Sequence, residues 1–202
     1  MINICIPYYK EYDAVKPALA ELPPNKYRVS AMQGTLISQS RNSLILGRYN
    51  SLMYPAPPKE DTLFIDSDIS ATVEDIEAIC KLGETNPVVF FPYETRKGSN
   101  LYQCGEWGQA IGVTGLSYSA HSRGTHNVAW CGAGFLYIKK EVFAELDFPY
   151  FYHGVLRYME HAVNHSEDIG FCIKLHNKGI PILCNFKNPV NHIKEMSKYE
   201  YQ

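Results

Sequence analysis

The sequence predicts a single α/β domain in which helices cover both faces of a mostly parallel central sheet, a three-layer αβα sandwich. Three observations lead to this prediction. Short apolar runs alternate along the chain with segments whose apolar residues recur at helical spacing. Such alternation is typical of parallel sheets with right-handed crossovers. The length of 202 residues suits one domain, and no internal repeat divides the sequence.

Five apolar runs have the length and boundaries of strands. The first is closed by Pro7-Tyr8-Tyr9, and the third ends in Asp66-Ser67-Asp68. All of them are bounded by turn residues or charged residues, as buried strands are. The strand candidates cover residues 2–6, 27–32, 63–66, 88–91 and 180–184.

The first two helix candidates flank the second strand. One covers residues 12–21 and ends before Pro23 and Pro24. The other begins with Ser38 or Ser40 as its N-cap, and the proline-rich residues 55–58 end it.

Two later helices have stronger start signals. Thr72 precedes two acids that suit the positive end of a helix dipole, and an apolar stripe follows. Ser166 is placed to cap a helix over residues 169–177, which Gly179 ends. A short helix is also expected after Lys139.

The segment 94–127 has a different character, because Gly, Ser, Thr and His dominate it. It predicts either a loop-rich excursion with short strands or a mobile lid. The apolar run 129–138 is interrupted by Gly132-Ala133-Gly134, which indicates a turn or a β-bulge. The aromatic residues 148–152 read as a loop, and residues 150–165 as part of an irregular binding segment.

Composition argues against several classes of protein. The net charge is −2 and no basic cluster is present, so nothing indicates nucleic-acid binding. The first residues lack the basic region of a signal peptide, and no apolar run is long enough to span a bilayer. We therefore expect a soluble, cytoplasmic protein without a transmembrane segment. Six cysteines without a CxxC pair predict neither zinc nor disulfides.

Asp66 and Asp68 stand directly after a probable buried strand, where α/β proteins bind ligands. Two acids at this place would lose solvation and repel each other unless a positive group lay between them. A divalent cation such as Mg²⁺ or Mn²⁺ is the simplest such group. An Asp-x-Asp sequence can also simply cap a turn.

Four pieces occur in a characteristic order. They are a first strand ending in Pro7-Tyr8-Tyr9, a strand ending in Asp66-Ser67-Asp68, the turn Gly132-Ala133-Gly134, and Glu167-Asp168 at the start of a helix. This order resembles the GT-A glycosyltransferases, in particular the inverting group similar to family 2, and it extends from Ile2 to His192. The resemblance implies a nucleotide-diphospho-sugar transferase fold and a metal-dependent transfer of a sugar to an acceptor.

The resemblance also implies roles for the acids. Asp68 would be the direct ligand of Mn²⁺ or Mg²⁺ and Asp66 its helper, with His192 as a further ligand. Asp168 would be the base that deprotonates the acceptor, with Glu167 orienting the acceptor or exchanging roles with Asp168. Without the resemblance, helix capping alone would explain the two acids, and a lone His is usually a surface or core residue.

The donor would be a UDP-sugar or GDP-sugar bound by residues from three segments. Tyr8 would stack on the base, Arg41 would contact phosphate at a helix start, and Trp130 would offer a platform for a sugar. The residues implied in donor binding are Pro7, Tyr8, Tyr9, Arg41, Asn42, Asp66, Ser67, Gly132, Ala133 and Gly134. No acidic residue that could read the base follows the second strand, so the base is left open.

The domain would comprise a nucleotide-sugar half, residues 2–92, an acceptor and catalytic half, residues 93–192, and a tail, residues 193–202. The acceptor could be a sugar, a lipid, a protein or a modified nucleic acid. A retaining mechanism, which needs no acceptor base, is an alternative to inversion. Two other classes are open: a haloacid-dehalogenase-like phosphatase with Asp66 as nucleophile, Asp68 as acid and Glu167-Asp168 on Mg²⁺, and a non-catalytic sugar-nucleotide-binding module. A pyrophosphorylase lacks its Gly-rich phosphate loop here.

Overall fold

The computed structural model describes residues 1–9, 11–34, 36–47, 57–95, 98–158 and 161–193. The helices within these ranges are α1 (Lys16–Glu21), α2 (Ile37–Leu46), α3 (Val73–Gly83), α4 (Lys140–Glu145) and α5 (Glu167–Asn177). The strands are β1 (Ile2–Tyr8), β2 (Tyr27–Gln33), β3 (Asp61–Ile65), β4 (Ile69–Ser70), β5 (Val88–Phe90), β6 (Leu101–Trp107), β7 (Thr114–Ser119), β8 (Thr125–Val128), β9 (Trp130–Cys131), β10 (Phe135–Ile138), β11 (Gly154–Tyr158), β12 (His161–His165), β13 (Ile182–Asn185) and β14 (Asn191–His192).

A seven-stranded sheet with the order β2-β1-β3-β10-β5-β13-β8 forms the centre. All but two of its strands run parallel; the exceptions are β10, between β3 and β5, and β8 at one edge. The predicted α/β class and mostly parallel sheet are confirmed, and the three-layer sandwich stays a prediction. The antiparallel β10 is buried at every position, and the parallel strands β3 and β5 beside it are buried at every position but Asp61.

The direction of the strands brings the predicted site residues to one edge of the sheet. β1 and β3 are parallel and in register, so the residues that follow both strands lie at their common carboxyl edge. β10 runs the opposite way, and Phe135 pairs with Ile65, so the Gly-rich turn before β10 reaches the same edge. There the Asp66 N–H donates to the carbonyl of Gly134 at 2.8 Å.

Both helix starts with strong sequence signals are confirmed. Thr72 and Asp75 form a capping box at the start of α3, and the Ser166 hydroxyl accepts from the N–H of Ile169 in α5. Gly179 follows α5 at φ +67°, a left-handed conformation that favours glycine. The longest helices have eleven residues, and no helix among the described ranges is both long and apolar enough to cross a bilayer.

The predicted boundaries of α2 are wrong. Its N-cap is Leu36, which makes no side-chain cap, and Ser40 is buried inside the helix. The helix ends at Gly47, at φ +62°, rather than at the proline-rich residues 55–58. The residues that α2 buries form one run of six, Ser40 to Ile45, and the first four of them are polar, so the usual apolar stripe is missing.

Short strands occupy the Gly-rich segment 94–127, as the first of its two interpretations predicted. β6 pairs with β7 and β9 in a three-stranded sheet, and β8 joins the central sheet. The segment 150–165 is less irregular than expected, because residues 154–158 and 161–165 pair as an antiparallel hairpin. All six cysteines are buried free thiols, among them Cys5 and Cys184 in the centre of the core.

Candidate active site

Arg41 is the centre of a buried charge cluster. It occupies the fifth position of α2, and its side chain is only 2% exposed. Its Nη2 lies 2.9 Å from Oδ1 and 3.0 Å from Oδ2 of Asp66, and its Nη1 donates to the carbonyl of Ala133 at 3.2 Å. The guanidinium therefore joins the end of β3 to the Gly-rich turn before β10.

The other side of the same guanidinium faces the first turn of α5. Nε of Arg41 lies 3.6 Å from Oε1 of Glu167 and 3.8 Å from Oδ1 of Asp168. Together with Asp66, three carboxyl groups surround one cation. One guanidinium cannot neutralise all three, so the cluster attracts a proton or a further cation.

The pKa values of the cluster reflect this excess of acid. Burial raises the pKa of Asp168 well above its usual range; Arg41 opposes the change, while Glu167 and Asp66 reinforce it. Burial likewise raises the pKa of Asp66 against the effect of Arg41. The pKa of Arg41 is raised too, because the three carboxylates outweigh its burial. Arg41 therefore stays charged, and of the two aspartates Asp168 holds a proton more readily.

Asp68 and His192 form a second contact at the same edge. Nε2 of His192 lies 3.1 Å from Oδ2 of Asp68, and Nδ1 of His192 lies 3.0 Å from the carbonyl oxygen of Glu94. A carbonyl only accepts, so Nδ1 is the nitrogen that carries the proton. Nε2 then faces a carboxylate oxygen, and either a second proton on the ring or a bound cation can join the two atoms.

This pair fits a divalent cation. Metal-bound histidines usually donate their other N–H to a carbonyl or carboxylate, as His192 does to Glu94. An octahedral cation with ligands at about 2.1 Å holds adjacent donor atoms about 3 Å apart, which matches the separation of the Asp68 and His192 atoms. Within the described ranges, no group of three or more His, Cys, Asp or Glu side chains is arranged to hold an ion. Asp68 and His192 thus supply two ligands. Both oxygens of Asp66 contact Arg41 instead, so Asp66 does not join them as a third ligand.

Tyr93 connects the two groups and was not singled out in the sequence. Its hydroxyl accepts from the N–H of Gly134 at 3.0 Å, and its ring meets the ring of His192 edge-on at 5.4 Å. A Cβ on Gly132 or Gly134 would collide with this hydroxyl, which explains both glycines. The only sequence signal for Tyr93 is its place two residues after a buried strand.

The contacts of Asn42 differ from the predicted contact with the donor. Its Nδ2 donates to the carbonyl oxygens of Phe151 at 2.7 Å and Ser38 at 2.8 Å, and its Oδ1 accepts from the Phe151 N–H at 3.1 Å. Arg41 and Asn42 lie in the middle of α2, not at its start, so the helix N-terminus does not adjoin them. Asn42 instead fixes the chain before β11.

The remaining predicted residues lie near the same edge. Pro7 and Tyr8 end β1, and Tyr9 is 62% exposed just beyond it, while Ser67 is half-buried between the two aspartates. Trp130 does not offer a platform, because it is 5% exposed and its Nε1 donates to the Glu106 carbonyl at 2.9 Å. Residues 194–202 of the predicted tail lie outside the described residues.

Comparisons with known proteins address the fold. A search of family models gave no match, and neither did a search of curated proteins. Among solved structures, GalNAc-T7 with UDP, GalNAc and Mn²⁺ matches all of this chain and 44% of its own length, at a TM-score of 0.62 and 10% identity. A197 from STIV matches 91% of this chain and 80% of its own length, at a TM-score of 0.52 and 17% identity. TarS 1-349 of S. aureus matches 94% of this chain and 59% of its own length, at a TM-score of 0.47 and 12% identity.

The overlap with GalNAc-T7 includes the whole chain, so the likeness concerns the complete central sheet and its helices. At these identities the likeness is one of fold alone. The chain therefore has a mixed α/β fold with a large, mostly parallel sheet, similar to that of glycosyltransferase structures and consistent with the predicted GT-A architecture.

Proposed function

We propose that this protein is a metal-dependent glycosyltransferase that moves a sugar from a nucleotide-diphosphate-sugar to an acceptor with inversion. One observation carries the proposal: Oδ2 of Asp68 faces Nε2 of His192 at 3.1 Å, beside the acids that surround Arg41. Such a transfer needs two side chains that bind a cation and a buried base, and all of these lie at one edge of the sheet. The fold likeness to GalNAc-T7 supports the same reading.

Asp68 and His192 would hold Mn²⁺ or Mg²⁺, since carboxylate and imidazole suit these ions and few protein ligands are needed beside phosphate oxygens and water. The cation would stabilise the negative charge of the departing nucleoside diphosphate. Asp66 as a direct ligand stays a prediction. Its bond to Arg41 supports the role of a helper rather than that of a direct ligand.

Asp168 would be the general base. An acceptor base works best when its pKa lies near the pH of the reaction, and burial raises the pKa of Asp168 in that direction. Arg41 keeps the carboxylate close to the donor edge, because its guanidinium also holds Asp66 and the carbonyl of Ala133. Glu167 would orient the acceptor or share the proton.

The donor would lie along the edge formed by Pro7, Tyr8, Tyr9 and the turn of residues 132–134. The small residues of this turn allow a ligand to approach the backbone closely. The proposal includes four further predictions. The donor is a UDP- or GDP-sugar, and the acceptor is a sugar, a lipid, a protein or a modified nucleic acid. The domain has two halves, residues 2–92 and 93–192, and the protein is cytoplasmic.

A phosphatase that uses Asp66 as its nucleophile is disfavoured, because both oxygens of that carboxylate are engaged by a buried guanidinium. The binding-module alternative keeps the same donor site and differs only in turnover. Binding and turnover must therefore be measured separately.

The test uses the full chain with Mn²⁺ and a panel of UDP- and GDP-sugars. Binding is measured by calorimetry, and release of the nucleoside diphosphate is measured with water or simple sugars as acceptors. We expect Asp68→Asn to lose both, and the exposed control Glu77→Gln to keep both. Binding without turnover would favour the non-catalytic module. No binding by the unaltered protein, or an unaffected Asp68→Asn, would exclude the proposed function.

A further inference from the structure

His153 contacts the acidic cluster from its solvent side. Its Nε2 lies 3.3 Å from Oε2 of Glu167, whose other oxygen lies 3.6 Å from Nε of Arg41. The His153 side chain is 54% exposed and that of Glu167 only 8%. Glu167 is thus a buried carboxyl group with a buried cation on one oxygen and a solvent-accessible imidazole on the other.

The backbone around His153 is firmly held. Asn42 binds both the N–H and the carbonyl of Phe151, whose ring stacks on Phe171 of α5 at 4.5 Å and 15°. The carbonyl of Tyr152 lies so close to Gly170 that a Cβ there would collide with it. His153 follows these anchors directly, so its backbone is held beside the first turn of α5.

Asp168 needs a route by which a proton can leave. It is half-buried overall, but its Oδ1 is a buried atom without a hydrogen-bond partner in the described part of the chain. Two groups lie beside it: Arg41, which cannot accept a proton, and Glu167, whose Oε1 lies 3.6 Å from the same Nε of Arg41 that Oδ1 of Asp168 approaches at 3.8 Å. Glu167 is therefore the acceptor through which a proton on Asp168 can move outward.

We propose that His153 is the outer member of a proton relay that runs from Asp168 through Glu167 to solvent. Asp168 takes the proton of the acceptor hydroxyl as the acceptor oxygen bonds to the sugar, and the electrons of the broken sugar–phosphate bond leave with the diphosphate. The proton then passes to the Glu167 carboxylate, from it to Nε2 of His153, and from the imidazole to water. Asp168 is ionised again for the next turnover.

This inference rests on the proposed function and deepens it. His153 acts through Glu167, so it is a positioning residue of the relay, whereas Asp168 touches the reacting hydroxyl. The relay predicts that an imidazole is needed at this place for its proton transfer. A merely structural contact would need only a hydrogen-bond donor to Glu167, which glutamine also supplies.

The experiment measures UDP release with Mn²⁺ and the UDP-sugar that the unaltered protein hydrolyses fastest, with water as the acceptor. The variants are His153→Ala and His153→Gln. The matched control is His176→Gln at the other end of α5, where glutamine can still accept the hydrogen bond from Trp107. We expect both His153 variants to lose about tenfold or more in kcat with little change in KM. Added imidazole should restore His153→Ala in part, while the control keeps full activity.

Two results would overturn the relay and leave the proposed function intact. One is full activity of His153→Ala. The other is a His153→Gln variant that keeps the activity of the unaltered protein while His153→Ala loses it, which would assign a structural role to the contact. Absence of UDP release by the unaltered protein with every donor would overturn the proposed function and the relay with it. Thermal unfolding of each variant separates a loss of activity from a loss of fold.

Discussion

Nη2 of Arg41 lies 2.9 Å from one oxygen of Asp66 and 3.0 Å from the other, and these residues are separated by 25 positions in the chain. The contact joins the middle of α2 to the end of β3. Within the described residues, Arg41 is the cation that hydrogen-bonds to the Asp66 carboxylate. Glu167 and Asp168 lie further from the guanidinium. The stability of the site therefore depends on Arg41.

Replacing Arg41 with methionine should lower the free energy of unfolding by about 3–5 kcal/mol, because carboxyl groups around a buried cation lose their compensation. Urea unfolding measures the change. In the double variant Arg41→Met/Asp66→Asn, part of the loss should be recovered, since one of the carboxylates is then neutral. The control Lys16→Met removes an exposed ion pair with Asp13 and should cost far less. Equal losses for Arg41 and Lys16 would contradict the role of the cluster.

Asp168→Asn should abolish turnover and stabilise the fold at neutral pH. The pKa of Asp168 is raised in the folded protein, so the folded state binds the proton more tightly than the unfolded chain does. The unaltered protein should then lose stability, relative to the variant, as the pH rises above the ordinary pKa of about 3.9 towards the raised one. The slope cannot exceed about 1.4 kcal/mol per pH unit for one group.

Denaturant unfolding of both proteins between pH 4 and pH 8 tests this sign. The exposed residue Asp147 provides the control Asp147→Asn, whose difference from the unaltered protein should stay flat over the same range. A gap between Asp168→Asn and the unaltered protein that narrows with rising pH would show that Asp168 is stabilised in its ionised form instead.

His192→Gln should weaken Mn²⁺ binding at least tenfold, because it removes one of the two donor atoms that face each other at 3.1 Å. The loss is measured by the paramagnetic resonance of free Mn²⁺ during titration in the presence of UDP. His176→Gln keeps both donor atoms and should bind Mn²⁺ like the unaltered protein. Chelation of the metal should stop turnover, and its return should restore it. Unchanged Mn²⁺ affinity in His192→Gln would remove His192 from the ligand set.

Asn42→Asp should destabilise the protein by about 1–3 kcal/mol, although the two side chains have the same size. The amide donates to the carbonyls of Phe151 and Ser38, and a carboxylate would face both with no proton to give. Activity should fall more than stability alone explains, since Phe151 precedes the segment that carries His153. Asn25→Asp, in an exposed turn, is the matched control for thermal unfolding. A stable Asn42→Asp protein with full activity would show that the clasp does not position that segment.

Local signals determined much of the fold. The apolar run before Asp66 predicted a buried strand that ends in acids, and both Thr72 and Ser166 marked helix starts that the structure confirms. These features depend on neighbours in the sequence, where capping and strand length are decided. The edge at which the acids meet followed from the parallel direction of the strands.

The tertiary structure alone decided which charges meet. A buried strand reads the same in either direction, so the antiparallel placement of β10 between β3 and β5 has no local signature. Arg41 looks like a solvent-exposed residue in a polar helix, and His153 like a surface residue in an aromatic loop, until packing places both beside Glu167. The sequence by itself determined the five parallel strands of the central sheet, the capped starts of α3 and α5, and the acids that follow β3 and open α5. The partners of those acids come from distant segments, because burial and Coulomb interactions depend on distance in space and not on separation along the chain.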